Sequence, residues 1–371
     1  MRIAINCNVA TETPKGIGKY LIDAINAFVE YVPDWEFILL SKHSLNNVGI
    51  DLNKKNVRYC YCPLPGFINR YQIWYNIVFP RKAKELNADI IWTPFPALPF
   101  FYSKRIKSLI TVHDVVALEY ANTQSWLNRI VNNIVFKRAI LKSDFIWCNS
   151  NYTFTKVDQY FKERKSQNVV IGDSCGLIYR KKEISLSLRN SIKNSFGIKD
   201  KFLLFVGTLE PRKNISFLLG VIKELYSVRS DVQLLGVGGK GWKYSSIYSI
   251  VNDSAFPKES VIFANYIDNE MLVNLYNIAD SLISTSINEG FGMPQLEAMK
   301  CGCPVITAHN SAMVEVVSGR GVTVKGWDVI KWIEAINEVL DNSPRNISYN
   351  LDEYDWKKIV LRVKEYIINN V

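Results

Sequence analysis

Two glutamates separated by seven residues, Glu289 and Glu297, frame a glycine-rich turn late in the chain. A short apolar run precedes the first glutamate, and Pro294 suits the first turn of a helix because no helix start uses its missing N–H. The pattern therefore predicts a buried strand, a turn and a helix. Unpaired N–H groups at a helix start attract anions, and a carboxylate can accept hydrogen bonds from two neighbouring sugar hydroxyls. A ribose and a hexose would occupy both glutamates, and a sugar nucleotide carries both.

A strand, a glycine turn and a helix occur in every α/β protein, so the glutamate pair alone does not define a function. The whole string EGFGMPQLEAMKCGCPVI, residues 289–306, resembles the signature of retaining GT-B glycosyltransferases of family 4, which include mannosyltransferases of bacterial polysaccharide assembly. The resemblance implies that Glu289 is catalytic and holds the donor sugar, and that Glu297 holds the ribose. It also implies donor contacts from the turn, at Gly290, Phe291, Gly292 and Met293.

The composition fits a globular protein of two domains. The chain has 371 residues, of which 48% are hydrophobic, enough for sizeable cores. Strand and helix patterns alternate, which predicts the α/β class with two Rossmann-like domains. The resemblance implies the GT-B fold, in which the two domains face a central cleft. We expect an acceptor-side domain at 1–178, a connection at 179–196, a nucleotide-sugar-binding domain at 197–354, and a final helix at about 355–371 that packs back on the first domain.

The positive charge is concentrated in one half of the chain. Residues 1–182 carry 25 Lys+Arg against 14 Asp+Glu, whereas residues 183–371 carry 20 against 21. This imbalance indicates an anionic membrane surface, a nucleic acid or an acidic substrate as partner. Basic clusters adjoin aromatic segments at 67–79 and 95–102, and no apolar run is long enough to span a membrane. Peripheral attachment to the cytoplasmic membrane and a merely solvated basic surface both stay open.

Other features bear on compartment and cofactors. No signal-peptide pattern follows Met1, so a cytoplasmic location is expected. The seven cysteines include two C-x-C pairs without a histidine cluster, which predicts reduced thiols rather than disulfides or zinc. No Asp-x-Asp occurs, which argues against the metal-dependent GT-A architecture. We expect neither a metal nor another cofactor.

The first domain offers two candidate ligand contacts. Gly16 and Gly18 lie between a strand and a helix, where a phosphate site is plausible, although a simple tight turn is an alternative. The resemblance implies that both glycines contact the donor diphosphate. His113 ends a predicted strand, and ligands bind at strand ends in α/β sheets. A lone histidine is more often structural, but the resemblance implies that His113 is catalytic and lines the reacting sugar, with Asp114 able to orient its ring.

The second domain offers cations after its first strand. A diphosphate leaving group needs positive charge, and Arg212 and Lys213 match the phosphate-binding segment of the family, which often has Arg where Thr208 stands. Tyr266 and Ile267 end a predicted strand, Val261–Ile267, and the resemblance implies that backbone groups there hold the nucleobase. Residues 236–241 spell G-x-G-x-x-G, but no compact helix start and no suitably placed acidic residue follow, which argues against a dinucleotide site.

The resemblance covers nearly the whole chain and implies sugar transfer with retention from a nucleotide donor to a lipid-linked or growing polysaccharide acceptor. GDP-mannose is the first choice of donor and a UDP-sugar the second. A sugar-nucleotide epimerase of the same architecture is an alternative, although it should show more acid/base residues than His113 supplies. A nucleic-acid-binding protein is a distant alternative, because no binding motif accompanies the positive charge.

Overall fold

The computed structural model describes the chain except residues 15, 67–68, 116–125, 167–168, 243 and 343–345, and it leaves out the side chains of 126–132. The chain forms two compact units. The first comprises Met1–Gly176 and Asp352–Val371, and the second comprises Leu177–Leu351. Counted by unit, the first carries 26 Lys+Arg against 18 Asp+Glu, a net charge of +8, and the second carries the remaining +2.

The first unit is built on a seven-stranded parallel sheet in the order β3-β2-β1-β4-β5-β6-β7. Most of its strands are apolar runs buried on both faces, as parallel sheets between helices require. The strands are β1 (Arg2–Asn6), β2 (Glu36–Ser41), β3 (Val57–Tyr61), β4 (Ile90–Thr93), β5 (Lys107–Val112), β6 (Phe145–Cys148) and β7 (Val170–Ile171).

Helices cover this sheet. They are α1 (Ile17–Tyr31), α2 (Tyr71–Ile73), α3 (Phe79–Glu85), α4 (Trp126–Lys142), α5 (Asn151–Tyr160) and the final helix α13 (Trp356–Ile368). The apolar face of α13 joins the core formed with α1, β1 and β2, and Lys364 Nζ on this helix lies 2.7 Å from Asp34 Oδ1. The last helix therefore belongs to the first unit although 175 residues of the second unit precede it in sequence.

The second unit repeats the same sheet order with six parallel strands, β10-β9-β8-β11-β12-β13. The strands are β8 (Lys201–Val206), β9 (Val232–Val237), β10 (Val261–Ala264), β11 (Ser281–Ser284), β12 (Val305–Ala308) and β13 (Val322–Val324). The helices are α6 (Leu186–Phe196), α7 (Ile215–Val228), α8 (Ser245–Asn252), α9 (Asn269–Ile278), α10 (Met293–Lys300), α11 (Met313–Val317) and α12 (Val329–Asn342).

The α/β class and the two Rossmann-like sheets agree with the sequence analysis, but two local expectations change. Residues 179–196 lie in the second unit, where helix α6 occupies much of the segment. Strand β10 ends at Ala264, so the predicted strand Val261–Ile267 was too long. In the aromatic segment 67–79, a π-helical turn at Trp74–Val78 separates α2 from α3, and the rings of Trp74, Tyr75 and Phe79 are buried in the core. Phe67 lies outside the described residues.

Each sheet reverses its strand order once, between β1 and β4 in the first unit and between β8 and β11 in the second. In open α/β sheets, ligands bind outside the carboxyl ends of the strands at this point. The Gly16–Gly18 turn follows β1, and Arg212, Lys213 and Glu289 follow β8 and β11. No helix in the described part of the chain is long and apolar enough to cross a membrane.

Candidate functional site

The segments after β8 and β11 are joined by hydrogen bonds to backbone carbonyls. Thr285 Oγ1 donates to the carbonyls of Lys213 and Asn214, at 3.0 and 3.2 Å, and the Ile287 amide donates to the Arg212 carbonyl at 2.8 Å. These bonds link the last residues of one strand to the turn that follows the other. The cations and the first glutamate therefore lie together because the two strands are neighbours in the sheet, although more than 70 residues separate them in sequence.

The side chains of this junction form an ion cluster around Glu289. Arg212 Nη1 donates to Glu289 Oε2 at 2.7 Å, Lys213 Nζ bonds to Oε1, and Ser286 Oγ donates to the same Oε1 at 2.6 Å. Burial alone would raise the pKa of Glu289, but the charges of Lys213 and Arg212 outweigh it and lower this pKa to about 2. The carboxylate is therefore ionised at every physiological pH.

Arg212 has most of its hydrogens committed to protein acceptors. Its Nε and Nη2 donate to Glu210 Oε1 at 3.1 and 2.8 Å, and its Nη1 donates to the Asn288 carbonyl as well as to Glu289. A guanidinium has five N–H donors, so these contacts leave about one for a ligand. Lys213 has three, and the described contacts use one of them. Lys213 is therefore the better placed of the two cations to bind a phosphate.

The acceptor capacity of Glu289 is smaller than the sequence analysis assumed. A carboxylate has about four acceptor sites. Lys213 and Ser286 take two at Oε1, and Arg212 takes one at Oε2. Only about one site is left, so this arrangement cannot hold two sugar hydroxyls unless one of the protein contacts is exchanged.

The turn after Glu289 leads into α10. The Glu289 amide donates to Ser311 Oγ at 3.0 Å, and the Ala312 amide donates to the Glu289 carbonyl at 3.3 Å, so the loop after β12 supports the turn. Gly290, the first residue of the turn, is half-buried, and Phe291 is buried. Gly292 is the N-cap residue of α10 and Met293 its first residue. The expected strand, turn and helix are thus present.

Glu297 lies on α10 and is 4% exposed. Its Oε2 accepts a hydrogen bond from the Tyr276 hydroxyl at 2.9 Å. Burial and the adjacent Glu297 charge raise the pKa of Tyr276 well above its usual value, so the phenol remains a donor. If Glu297 contacts a ribose, as the sequence predicts, it must do so through a carboxylate oxygen that is little exposed in this structure.

Two further loops of the second unit follow β10 and β9. Tyr266 and Ile267 lie in the loop after β10, where Tyr266 is 54% exposed and the following Asp268 caps α9 by accepting from the Met271 amide at 2.7 Å. In the glycine-rich run 236–241, a Cβ on Gly238 would lie 2.1 Å from the Gly207 carbonyl oxygen. This glycine lets two loops pack together, which gives the run a structural purpose other than dinucleotide binding.

In the first unit, the first turn of α1 lies close to the loop that follows β1. A Cβ on Gly18 would lie 2.3 Å from the Val9 carbonyl oxygen, so packing alone demands glycine there. Gly16 is the N-cap residue of α1 and has open space around its Cα. Of the two predicted diphosphate contacts, only Gly16 lacks a packing explanation.

His113 follows β5 and is fixed by protein contacts. Its Nε2 lies 2.9 Å from the Pro94 carbonyl oxygen, which can only accept, so the proton is on Nε2. The Tyr20 ring of α1 packs edge-on against the imidazole, with ring centres 4.6 Å apart, and Asn149 Nδ2 donates to the His113 carbonyl at 2.7 Å. Burial lowers the pKa of His113 despite the Pro94 contact and the Asp114 charge. The Pro94 carbonyl thus orients Nε2, and the ring is neutral at pH 7.

Sequence reasoning missed several residues of these arrangements, among them Glu210, Ser286, Ser311 and Tyr20. Glu210 and Ser286 lie two and three residues from predicted site residues, and this local spacing could have indicated them. Ser311 and Tyr20 reach their partners through long-range packing, which leaves no signal in the local sequence. Among the described residues, no group of three or more His, Cys, Asp and Glu side chains could hold a metal ion.

The fold agrees with comparisons to known proteins. Residues 189–354 match the family model Glycosyl transferases group 1, so this stretch is a glycosyltransferase group 1 domain. The chain as a whole has the GT-B fold. WaaG, a glycosyltransferase involved in lipopolysaccharide biosynthesis, superposes with a TM-score of 0.70 at 17% identity over 99% of both chains. HepE of Anabaena, solved in complex with UDP-glucose, gives a TM-score of 0.75 at 15% identity over 100% of both chains.

The sequence relatives include O-antigen mannosyltransferases. O-antigen chain mannosyltransferase B of Escherichia coli is 32% identical over 160 residues, which are 43% of this chain and 39% of that protein. The chain therefore spans well under half the length of that relative. O-antigen chain mannosyltransferase RfbU of Salmonella typhimurium is 25% identical over 352 residues, or 90% of both chains.

Proposed function

We propose that the protein is a retaining glycosyltransferase of family 4 that transfers mannose from GDP-mannose to a lipid-linked or growing polysaccharide acceptor, as in O-antigen or lipopolysaccharide assembly. The observation that carries the proposal is the junction of Arg212 and Lys213 with Glu289 at the strand-order reversal of the second unit. Cations fixed beside an ionised carboxylate suit a substrate with a diphosphate next to a sugar. The mannosyltransferase relatives support mannose as the transferred sugar.

The chemistry of the junction favours departure of a nucleoside diphosphate. Negative charge grows on the leaving phosphate oxygen in the transition state, and fixed cations stabilise it. Lys213 supplies most of this stabilisation because its N–H groups are less committed, and the start of α10 adds the partial positive charge of a helix N-terminus. Glu289 contacts a donor hydroxyl through its remaining acceptor site. Glu297 holds the ribose and the Tyr266–Ile267 backbone the base, while Gly16 contacts the diphosphate.

His113 acts in this proposal as a neutral group that lines the reacting sugar. With Nε2 bound to Pro94, the ring offers Nδ1 as an acceptor and carries no charge that would oppose an oxocarbenium-like sugar. The reaction needs no metal ion, because protein cations neutralise the diphosphate. We place the enzyme at the inner face of the cytoplasmic membrane, attached peripherally through its first unit, where a lipid-linked acceptor is available.

A UDP-sugar is the second candidate donor, supported by the fold shared with HepE, which was solved with UDP-glucose. Thermal-shift measurements with GDP-mannose, UDP-glucose and the free nucleotides rank the donors. Analysis of the acceptor product by mass spectrometry and of the anomeric proton by NMR then identifies the sugar and the configuration. Stabilisation by GDP-mannose and an α-linked product are expected. Conversion of the donor to an epimer without any acceptor product would contradict the proposal.

A further inference from the structure

The segment between β4 and β5, residues 94–106, has no regular secondary structure and presents bulky apolar side chains to solvent. We refer to it as the Phe100 loop. Phe100 is 52% exposed and Phe101 is 82% exposed, whereas Ala97 and Leu98 just before them are buried in the core. The loop is thus fixed to the unit on one side and offers two phenyl rings on the other.

Side chains from two helical segments hold the loop in place. Arg138 of α4 donates to the carbonyls of Leu98, Pro99 and Phe100 at 2.8, 3.0 and 3.2 Å, and its guanidinium lies 4.8 Å from the centre of the Phe100 ring. Asn76 Oδ1 accepts from the Phe100 amide at 2.9 Å. Because its backbone is already fixed, the loop would lose little conformational entropy on binding a partner.

The helical segments that hold the loop add apolar surface of their own. Ile77 follows Asn76 and is 59% exposed, and Ile134, one turn before Arg138 on α4, is 58% exposed. Single exposed apolar residues are ordinary on a protein surface. Here four large ones occur on three segments linked by hydrogen bonds, and a concentration of exposed apolar side chains is typical of interaction sites.

The charge around the loop is positive and unneutralised. No acidic residue occurs between Asp89 and Asp114, and Lys104 and Arg105 at the end of the loop are exposed and form no ion pair with any described residue. Other clusters of the basic half are partly neutralised. Glu85 pairs with Arg81 and Lys82, and Asp144 lies 3.7 Å from Lys107. Arg129 has a side chain outside the described part.

We propose that the Phe100 loop, with Lys104 and Arg105, is the anchor by which the first unit docks on an anionic lipid bilayer. The inference deepens the peripheral attachment in the proposed function and rests on it. Bulky apolar side chains beside exposed cations match a bilayer interface, where the rings enter the acyl boundary and the cations meet anionic headgroups. A single-stranded nucleic acid could stack on the phenyl rings, but it would leave Ile77 and Ile134 without a partner.

The test is co-sedimentation of the full chain with vesicles of phosphatidylcholine alone and of an equimolar mixture with phosphatidylglycerol. Phe101→Ser is expected to lower the apparent affinity for the anionic vesicles by roughly ten- to a hundredfold, the effect of losing one buried phenyl ring. Lys104→Ser with Arg105→Ser is expected to lower it about fivefold per cation and to flatten its salt dependence.

Matched controls come from the second unit. Val228→Ser removes another apolar side chain, 72% exposed, and Lys223→Ser with Lys331→Ser removes two exposed cations of α7 and α12. Both controls should bind the anionic vesicles as the wild type does. Binding of GDP, followed by thermal shift, should be unchanged in every variant, which separates the anchor from the proposed enzymatic function.

Three outcomes would overturn the anchor. They are absence of wild-type binding to anionic vesicles at low salt, equal binding to neutral vesicles, and loop variants that bind as well as the controls. If Phe101→Ser instead abolishes a concentration-dependent dimer seen by sedimentation velocity, the surface joins two copies of the chain and the lipid proposal is wrong.

Discussion

Glu289 Oε2 accepts a hydrogen bond from Arg212 Nη1 at 2.7 Å, so the carboxylate assigned to the donor sugar and a cation assigned to the diphosphate are bonded to each other. Lys213 bonds to the other oxygen of the same carboxylate. A negatively charged ligand that approaches these cations must compete with Glu289. In the proposed function, the pairing would link binding of the diphosphate to release of acceptor sites on Glu289, which a sugar hydroxyl would then use.

Replacement of Glu289 by Gln should separate binding from catalysis. The amide keeps the size of the side chain but removes the charge that competes for Arg212 and Lys213, so GDP should bind several-fold more tightly by isothermal titration calorimetry. Sugar transfer should fall by at least about a hundredfold, because a fixed charge of the reaction site is lost. Weaker binding of GDP, or transfer at the wild-type rate by the folded variant, would contradict this linkage.

The two cations should differ in their effect on phosphate binding. Lys213→Ala is expected to weaken GDP binding by ~1.5–3 kcal/mol, the value of a charge-assisted hydrogen bond, and to affect GMP much less. Arg212→Ala should weaken GDP binding less, because Glu210, Asn288 and Glu289 occupy most of its donors. Lys223→Ala, on the surface of α7, is the control. Equal losses for GDP and GMP would remove Lys213 from the diphosphate site.

The free energy of unfolding should depend on pH in the acid range, because Glu289 loses its charge there. Its pKa of about 2 in the folded protein lies below the ordinary value of 4.5, so the unfolded chain binds this proton more readily. The ion cluster therefore stabilises the fold fully above about pH 4.5, by on the order of 3 kcal/mol, and progressively less as the pH falls towards 2. Urea unfolding of the wild type and Glu289→Gln should show a gap in the free energy of unfolding at pH 6 that narrows below pH 4.5. A gap that does not change with pH would show that Arg212 and Lys213 do not lower the pKa of Glu289 in the folded protein.

Activity should not require a divalent cation. In the proposed mechanism Lys213, Arg212 and the start of α10 neutralise the diphosphate, and no Asp-x-Asp motif is present in the sequence. The transfer rate in excess EDTA should equal that in buffer without added metal. Strict dependence on Mg²⁺ or Mn²⁺ would show that the charge balance has been assigned wrongly.

The sequence predicted the fold class and the turn after β11, because both follow from local patterns. Apolar runs define the parallel strands, and the string 289–306 combines glycines with Pro294 at a helix start. The pairing of Glu289 with Arg212 was not predictable. It depends on β8 and β11 being neighbours, and no local pattern reports strand order. For the same reason the exposed apolar side chains of the Phe100 loop could not be told from the buried rings of Trp74 and Tyr75, since both segments read simply as aromatic.

The central claim is that the junction of β8 and β11 receives a nucleoside diphosphate. The most direct measurement is a crystal structure of the protein with GDP bound. We predict a β-phosphate oxygen at about 3 Å from Lys213 Nζ, with the bond between Lys213 and Glu289 lengthened or broken. A diphosphate bound elsewhere, with Lys213, Arg212 and Glu289 still paired to one another, would contradict the account.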